Sequence, residues 1–317
     1  MPGKALIPHS HQCSSERRCV VVRNGSYRRK SDGVRVQRFR CKGCHDHFSE
    51  ASSDICYGQK KRQVNKSVFS LLVSNVSQRR SAMVLGINRK TVVRKLVFLG
   101  GWALQKLPET NLLYPKVSVM EFDDLETFEH SKCKPLSVTL SVEYKSRRIL
   151  GFRVSSMPAK GKLATISRKR YGIRADDRKS GRRALLQELQ SMVNPEALIK
   201  SDMNPHYTED VREFFPNAEH EVFKGRRGCV VGQGELKRGG YDPLFSLNHT
   251  CAMFRENINR LKRRTWCTTK RPDRLHLHIA MYAIFHNTVL LKKKSYRKYL
   301  NPKMAQMLDM CPAIALT

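Results

Sequence analysis

The chain has 317 residues, with 60 lysines and arginines against 27 aspartates and glutamates and a formal charge of +33. Such an excess of positive charge opposes compact folding unless a polyanion neutralises it, so nucleic acid is the expected partner. The length exceeds the roughly 150 residues of one domain. Because 40% of the residues are hydrophobic and can form a core, we expect two or three folded units.

The cysteines and the apolar segments argue against a secreted or membrane protein. Of the 10 cysteines, only Cys13, Cys19, Cys41 and Cys44 are clustered, which indicates a reducing compartment and one metal site rather than a disulfide framework. The apolar run at residues 5–7 is too short for a signal peptide. The longest apolar stretch, 279–291, is too short to span a bilayer. We therefore expect a soluble, cytoplasmic protein without a membrane partner.

Residues 9–50 are predicted to form a zinc ribbon. Strand-like segments at 20–23 and 34–39 precede Cys41-Lys-Gly-Cys44, a spacing that offers two thiolates to a tetrahedral zinc ion. Cys13 and Cys19 are the expected second pair, with His9 or His11 as an alternative to Cys19. The other interpretation is two unrelated pairs of reduced cysteines.

Residues 60–104 are predicted to form a helix-turn-helix DNA-binding region. Ala82, Gly86 and Val92 have the required spacing, with a small residue for close packing, a glycine for the turn and an apolar anchor. The residues expected to face DNA are Arg89, Lys90, Thr91 and Arg94. An ordinary helical hairpin is the alternative.

Residues 115–290 are predicted to form an α/β domain with a mixed sheet flanked by helices, after a linker at 108–115. The predicted strands are 117–122, 136–144, 149–154, 197–200 and 221–223, with helices at 182–193 and 208–214. Asp123 and Asp124 are expected to end the first strand, and Asp202 follows the fourth. Carboxylates at neighbouring strand ends can bind a divalent cation. Alternatively, these aspartates are turn residues or helix caps.

Three further segments are strongly basic. The segment 160–183 is predicted to be a flexible loop that either binds phosphates or is simply solvated. The segment 260–271 is predicted to be a helix whose arginines face DNA. Residues 291–317 form a basic C-terminal tail. His276, His278 and His286 lie among residues with core spacing, which favours a structural role over metal binding.

Several segments together resemble bacterial insertion-sequence transposases of the DDE type, over about residues 13 to 286. They are Arg38 to Cys44 with Phe48-Ser49, Asp123-Asp124, Asp202 to Tyr207 and, most specifically, Asn259 to Cys267. The resemblance implies an RNase H-like, retroviral-integrase-like core. With Mg²⁺ or Mn²⁺, such a core cuts DNA at the element's terminal repeats and joins the 3′ ends to a target. It also implies a homo-oligomer on DNA, associated with the nucleoid.

The chain departs from this family at the third acidic position, where the family has a glutamate followed seven residues later by a basic residue. Counting back from Arg260-Leu-Lys-Arg-Arg-Thr265 puts that position at Asn248, with Arg255 as the basic companion. Asparagine offers a neutral oxygen and binds metal less strongly than a carboxylate. The nearest carboxylate, Glu256, lies about 12 Å along the helix and about 80° around it.

The implied catalytic residues are therefore Asp123 and Asp202, with Asn248 or Glu256 as the third. Asp124 would take the place of Asp123 if the predicted strand register is shifted by one residue. The implied DNA-binding arginines of the late segment are Arg255, Arg260, Arg263 and Arg264. The predicted function is a DNA transposase. The alternatives are a sequence-specific DNA-binding regulator, an RNase H-like nuclease without strand transfer, and a catalytically inactive transposase copy.

Overall fold

The computed structural model describes residues 19–30, 32–224, 242–262 and 267–292. Two compact units are present, one before Ser67 and one from Ser67 onward. The predicted residues His9, His11, Cys13, Arg263 and Arg264, and the basic tail from residue 293, lie outside the described residues.

The first unit contains a three-stranded antiparallel sheet. Strands β1 (Val21–Arg28), β2 (Arg35–Cys41) and β3 (His47–Ser49) follow one another in space as in the chain. The rings of Phe39 and Phe48 stack 5.6 Å apart on this sheet. The two predicted strand segments are confirmed, and β3 is added after the Cys41–Cys44 turn.

Three helices follow: α1 (Asn65–Leu72), which spans the boundary between the two units, and then α2 (Gln78–Val84) and α3 (Arg89–Leu112) of the second unit. The Ser77 side chain accepts a hydrogen bond from the Arg80 amide, and Asn88 accepts one from the Lys90 amide, so both α2 and α3 have N-caps. Gly86 has a φ of 60° in the turn between them, where glycine is favoured. The predicted helix, turn and helix are therefore present.

The predicted linker at 108–115 is wrong, because α3 continues through Pro108 to Leu112. Proline in a helix interior costs about 3 kcal/mol, but tertiary packing holds the last turn in place. Asn111 donates hydrogen bonds to the carbonyl oxygens of Ile149 and Leu150 at 3.0 and 2.9 Å. The contact depends on distant residues, which local sequence does not reveal.

A five-stranded mixed sheet lies at the centre of the second unit and confirms the predicted mixed α/β architecture. Its strands are β4 (Val117–Phe128), β5 (Pro135–Glu143), β6 (Ile149–Ser156), β7 (Val193–Asp202) and β8 (Glu219–Phe223). The spatial order is β6-β5-β4-β7-β8. Strands β4, β5 and β6 pair antiparallel, whereas β4, β7 and β8 are parallel.

Helices cover both faces of this sheet. Among the described residues, the other α-helices of this unit are α4 (Lys162–Tyr171), α5 (Arg178–Leu189), α6 (Pro205–Phe214), α7 (Phe245–Asn257) and α8 (Pro272–Phe285). Phe122 packs in one core with Leu185 of α5 and Val211 of α6. On the opposite face, the ring of Phe152 lies 4.8 Å from that of His276 in α8.

Two local predictions fail in the basic segments. The segment 160–183 is not a loop, because it contains α4 and the start of α5, and buried Ser167 of α4 donates a hydrogen bond to the Cys133 carbonyl at 2.6 Å. The described part of 260–271 is not an α-helix: a short 3₁₀ turn, Asn259–Leu261, is followed by extended backbone at Lys262. There, buried Leu261 and a hydrogen bond from Asn259 to the Asn75 carbonyl fix the chain.

The apolar stretch 279–291 belongs to α8 and to a following π-helical turn, His286–Leu290. His278 is buried with its Nε2 atom 2.8 Å from the Leu72 carbonyl oxygen, and burial lowers its pKa to about 3. Burial likewise lowers the pKa of His286 to about 4. These histidines are core residues, as expected. Within the described ranges, no helix has the length and apolar character needed to cross a membrane.

Candidate active site and metal centres

Asp123 and Asp202 lie next to each other where a parallel strand pair ends. The last β4–β7 pair is Phe122 with Ser201, and the next residue of each strand is an aspartate. The prediction that Asp123 ends its strand is wrong, because β4 runs on to Phe128 against β5. The strand continues because β5 pairs with it as far as Phe128, whereas its pairing with β7 ends at Phe122. Both carboxylates nevertheless lie at the carboxyl edge of the β4–β7 pair.

The environment of Asp123 disfavours its charged form. Burial and then the charge of Asp202 raise the pKa of Asp123 to about 7. The Tyr207 hydroxyl and the Asp124 backbone amide donate hydrogen bonds to its Oδ1 atom at 3.1 and 2.6 Å, which partly offsets this effect. Burial, followed by the charge of Asp124, also raises the pKa of Asp202. A cation between these groups would relieve their repulsion.

Asp124 occupies the other face of β4. Side chains alternate along a strand, so consecutive residues point to opposite faces. Thr139, its partner on β5, donates a hydrogen bond to Asp124 Oδ1 at 2.5 Å. Asp123, rather than Asp124, therefore lies on the same face of the sheet as Asp202.

One side of α7 approaches Asp123. Asn248, Cys251 and Arg255 are spaced three and four residues apart and share a helix face. Burial raises the pKa of Cys251 to about 12, with a smaller upward contribution from Asp123 and a downward one from Arg255. Asn248 is exposed and donates a hydrogen bond to Asp242 Oδ2 at 3.0 Å. Because Cys251 is close enough to respond to the charge of Asp123, this face of α7 lies toward Asp123.

Glu256 lies in solvent on the last turn of α7. Its side chain is 73% exposed and its Oε1 atom is 3.4 Å from the Lys262 ammonium group. Arg260, predicted to contact DNA, is partly buried beside Arg274, and burial lowers its pKa to about 10.

Sequence reasoning missed two carboxylates near this site, Glu121 and Asp242. Glu121 is fully buried two residues before Asp123, on the same face of β4. Its Oε2 atom accepts a hydrogen bond from the Leu247 amide of α7 at 2.8 Å. The spacing of two in a strand was the only sequence signal for Glu121. The sequence around Asp242 gave no signal of this kind.

The helix-turn-helix residues lie at the beginning of α3. Arg89, Lys90 and Arg94 are exposed, Thr91 is partly buried, and Val92 is fully buried beneath them. A short basic turn is thus presented to solvent above an apolar anchor, which suits contact with a phosphate backbone.

Two described cysteines of the first unit have the separation expected of thiolates that share a zinc ion. Cys19 Sγ and Cys41 Sγ are 3.6 Å apart. Two thiolates on one tetrahedral zinc ion, each about 2.3 Å from the metal, would be about 3.8 Å apart. Cys44, the other ligand of the predicted knuckle, donates a hydrogen bond to Asp46 Oδ2 at 3.5 Å. In the described part of the chain, no three His, Cys, Asp or Glu side chains converge as a ready metal site.

The raised pKa of Asp123 predicts that the metal-free protein loses stability as pH rises. The group ionises near pH 7 when folded but near 3.8 when unfolded, so its stabilising contribution is complete below pH 3.8 and disappears as pH passes 7. From pH 6 to pH 8 the free energy of unfolding should fall by about 1 kcal/mol from this group.

Urea unfolding at pH 6 and pH 8 measures this change. Asp123→Asn should reduce the difference between the two pH values by that amount, and saturating Mg²⁺ should suppress it in the unmodified protein because metal replaces the proton. Equal pH dependence in the variant and the unmodified protein would contradict the assignment.

No protein-family model matches the sequence, and no curated protein is significantly similar to it.

Proposed function

We propose that this protein is a DDE-type DNA transposase, which cleaves DNA at element ends and joins the ends to a target. The observation that carries the proposal is the position of Asp123 and Asp202, each of which directly follows the last residue pair of the parallel strands β4 and β7. The flanking face of α7, with Asn248 and Arg255, supplies the position at which the resemblance requires a third group. Three antiparallel strands followed by alternating helices and strands suit the RNase H-like core that the resemblance implies.

Asp123 and Asp202 would hold Mg²⁺ or Mn²⁺. When bound, the metal would activate a water molecule and stabilise the leaving 3′ oxygen. Tyr207 orients Asp123 through its hydroxyl. Thr139 holds Asp124 on the other face of the strand. Arg255 provides positive charge on the same side of α7 as Asn248, suited to a DNA phosphate.

The surface supports DNA as the partner. Besides the first turn of α3, helix α4 exposes Lys162, Arg168, Lys169 and Arg170 on one short segment. A net charge of +33 adds long-range attraction for DNA. In this proposal, the zinc ribbon and the helix-turn-helix bind the terminal repeats. The protein acts as a homo-oligomer on DNA at the nucleoid.

A strand-transfer assay tests the proposal. The purified protein is incubated with Mg²⁺, a labelled duplex carrying the DNA that flanks its own gene, and a supercoiled plasmid target. A transposase releases the 3′ end and yields labelled plasmid. Cleavage without joined product would indicate the nuclease alternative, whereas sequence-specific binding without cleavage would indicate a DNA-binding regulator or an inactive copy.

The third metal position gives a separate prediction. Asn248→Glu should lower the Mg²⁺ concentration needed for cleavage by on the order of tenfold, because it adds a charged oxygen ligand. Glu256→Gln should have little effect, because Glu256 is exposed and paired with Lys262. Mg²⁺ titrations of single-turnover cleavage measure both variants. Loss of cleavage in Glu256→Gln, without a gain in Asn248→Glu, would show that Glu256 is the ligand and that the register is wrong.

A further inference from the structure

A buried carboxyl group connects the strand of Asp123 with helix α7. Glu121 is 0% exposed in the middle of β4, between the core residues Met120 and Phe122. A carboxyl group in such a position is costly unless its oxygens are hydrogen bonded. The bond that it makes to α7 is therefore informative about its role.

Glu121 acts as the N-cap of α7 from a different element. Leu244 precedes the helix and has no polar atom in its side chain, so it cannot satisfy the free amide groups of the first turn. The Leu247 amide, in that first turn, donates its hydrogen bond to Glu121 Oε2 at 2.8 Å. Burial disfavours the charged form of Glu121, and the hydrogen bond from Leu247 partly offsets that effect.

A second contact fixes the same turn of α7. Ser246 accepts a hydrogen bond at its Oγ atom from the Lys145 backbone amide at 2.9 Å, in the turn between β5 and β6. Two adjacent residues of the first turn are thus attached to the sheet. Together they set both the height of α7 above the sheet and its rotation about its own axis.

That rotation decides which side of α7 faces the aspartates. Asn248 directly follows the anchored Leu247, and Cys251 and Arg255 continue the same face. Glu121 and Asp123 are two residues apart on one strand, about 7 Å. The anchor is therefore one strand repeat away from the carboxylate that would hold metal.

We propose that Glu121 is a positioning residue that holds α7 so that Asn248 and Arg255 face Asp123 and Asp202. This inference rests on the proposed function, in which α7 completes the active site. In this proposal Glu121 acts through α7: its Oε2 atom accepts a hydrogen bond from the Leu247 backbone amide, and its side chain is buried in the core.

The test compares two substitutions of similar shape. Glu121→Gln keeps a carbonyl oxygen for the Leu247 amide, whereas Glu121→Met removes the acceptor. We expect the Met variant to lose about 10- to 100-fold in the single-turnover rate at saturating DNA, the range found when groups that orient a metal site are removed. Its affinity for DNA should be unchanged. The Gln variant should retain cleavage within about threefold, since the amide bond is kept.

Leu189→Ala is the matched control, since Leu189 is fully buried in the core on the α5 side of the sheet and does not contact α7 through that core cluster. It should lower the melting temperature without a comparable loss in rate. Cleavage by the Met variant within twofold of the unmodified protein would overturn the proposal. A loss in the Gln variant as large as in Asp123→Asn would also overturn it, because it would show that Glu121 acts through its charge.

Amide hydrogen exchange separates this inference from the proposed function. If the unmodified protein cleaves no DNA, the transposase proposal fails, but exchange in 245–250 still reports on the anchor. Faster exchange there in Glu121→Met, and not in Glu121→Gln or Leu189→Ala, would support the positioning role. Unchanged exchange in the Met variant would overturn it. If the Met variant does not fold, retention of rate and α7 protection in the Gln variant supports the proposal, and their loss overturns it.

Discussion

Replacing either Asp123 or Asp202 by asparagine should abolish Mg²⁺-dependent cleavage of the flanking DNA. Each change keeps the size of the side chain but removes a charged oxygen ligand, and losing a metal contribution of about 4 kcal/mol lowers the rate by about 10³-fold. DNA binding should persist within about threefold, because neither aspartate is a phosphate contact. Single-turnover cleavage and fluorescence anisotropy with the same labelled duplex measure the two properties.

Asp124→Asn is the matched control for these variants. Asp124 adjoins Asp123 in sequence, but Thr139 holds it on the opposite face of β4. It should therefore retain most of the activity. Full cleavage by both Asp123→Asn and Asp202→Asn would place the chemistry elsewhere, and inactivity confined to Asp124→Asn would show that the carboxylates were assigned to the wrong strand face.

Removing the thiolates of Cys41 and Cys44 should release the zinc ion and unfold the first unit. The unit has few apolar residues, and structural zinc contributes about 10–16 kcal/mol of folding free energy in small domains. Elemental analysis should find one zinc per chain in the unmodified protein and none in the Cys41→Ser, Cys44→Ser double variant. Loss of strand signal in circular dichroism should accompany loss of metal.

Cys133→Ser is the control, because Cys133 lies in the second unit and is buried there. Its zinc content should be unchanged. Comparing Cys19→Ser with His9→Ala and His11→Ala identifies the fourth ligand. Unchanged zinc in the double cysteine variant, or no zinc in the unmodified protein, would contradict the ribbon interpretation.

The sequence alone determined the type and order of most elements. Alternating or continuous apolar runs predicted β4 to β8, because a buried strand needs apolar side chains at successive positions of its inward face. The turn between α2 and α3 was also predicted from a local signal, because Gly86 adopts a positive φ that few other residues tolerate. These features depend on neighbours a few residues away, so they can be read directly.

Tertiary structure decided the features that depend on distant partners. Helix α3 passes through Pro108 because Asn111 binds carbonyl groups of β6, and the segment after Asn257 leaves the helix because Leu261 is buried and Asn259 binds Asn75. Local composition alone predicted a linker and a helix at these places. Contacts across the fold outweighed those local preferences.

The candidate site shows the same division. The composition and order of residues singled out Asp123 and Asp202, but their adjacency follows from the parallel register of β4 and β7. Glu121 carried almost no sequence signal, since its role comes from an amide of Leu247, 126 positions away in the chain. A sequence lists the groups that can bind a metal or cap a helix, whereas the pairing of strands and the packing of α7 determine which of those groups meet.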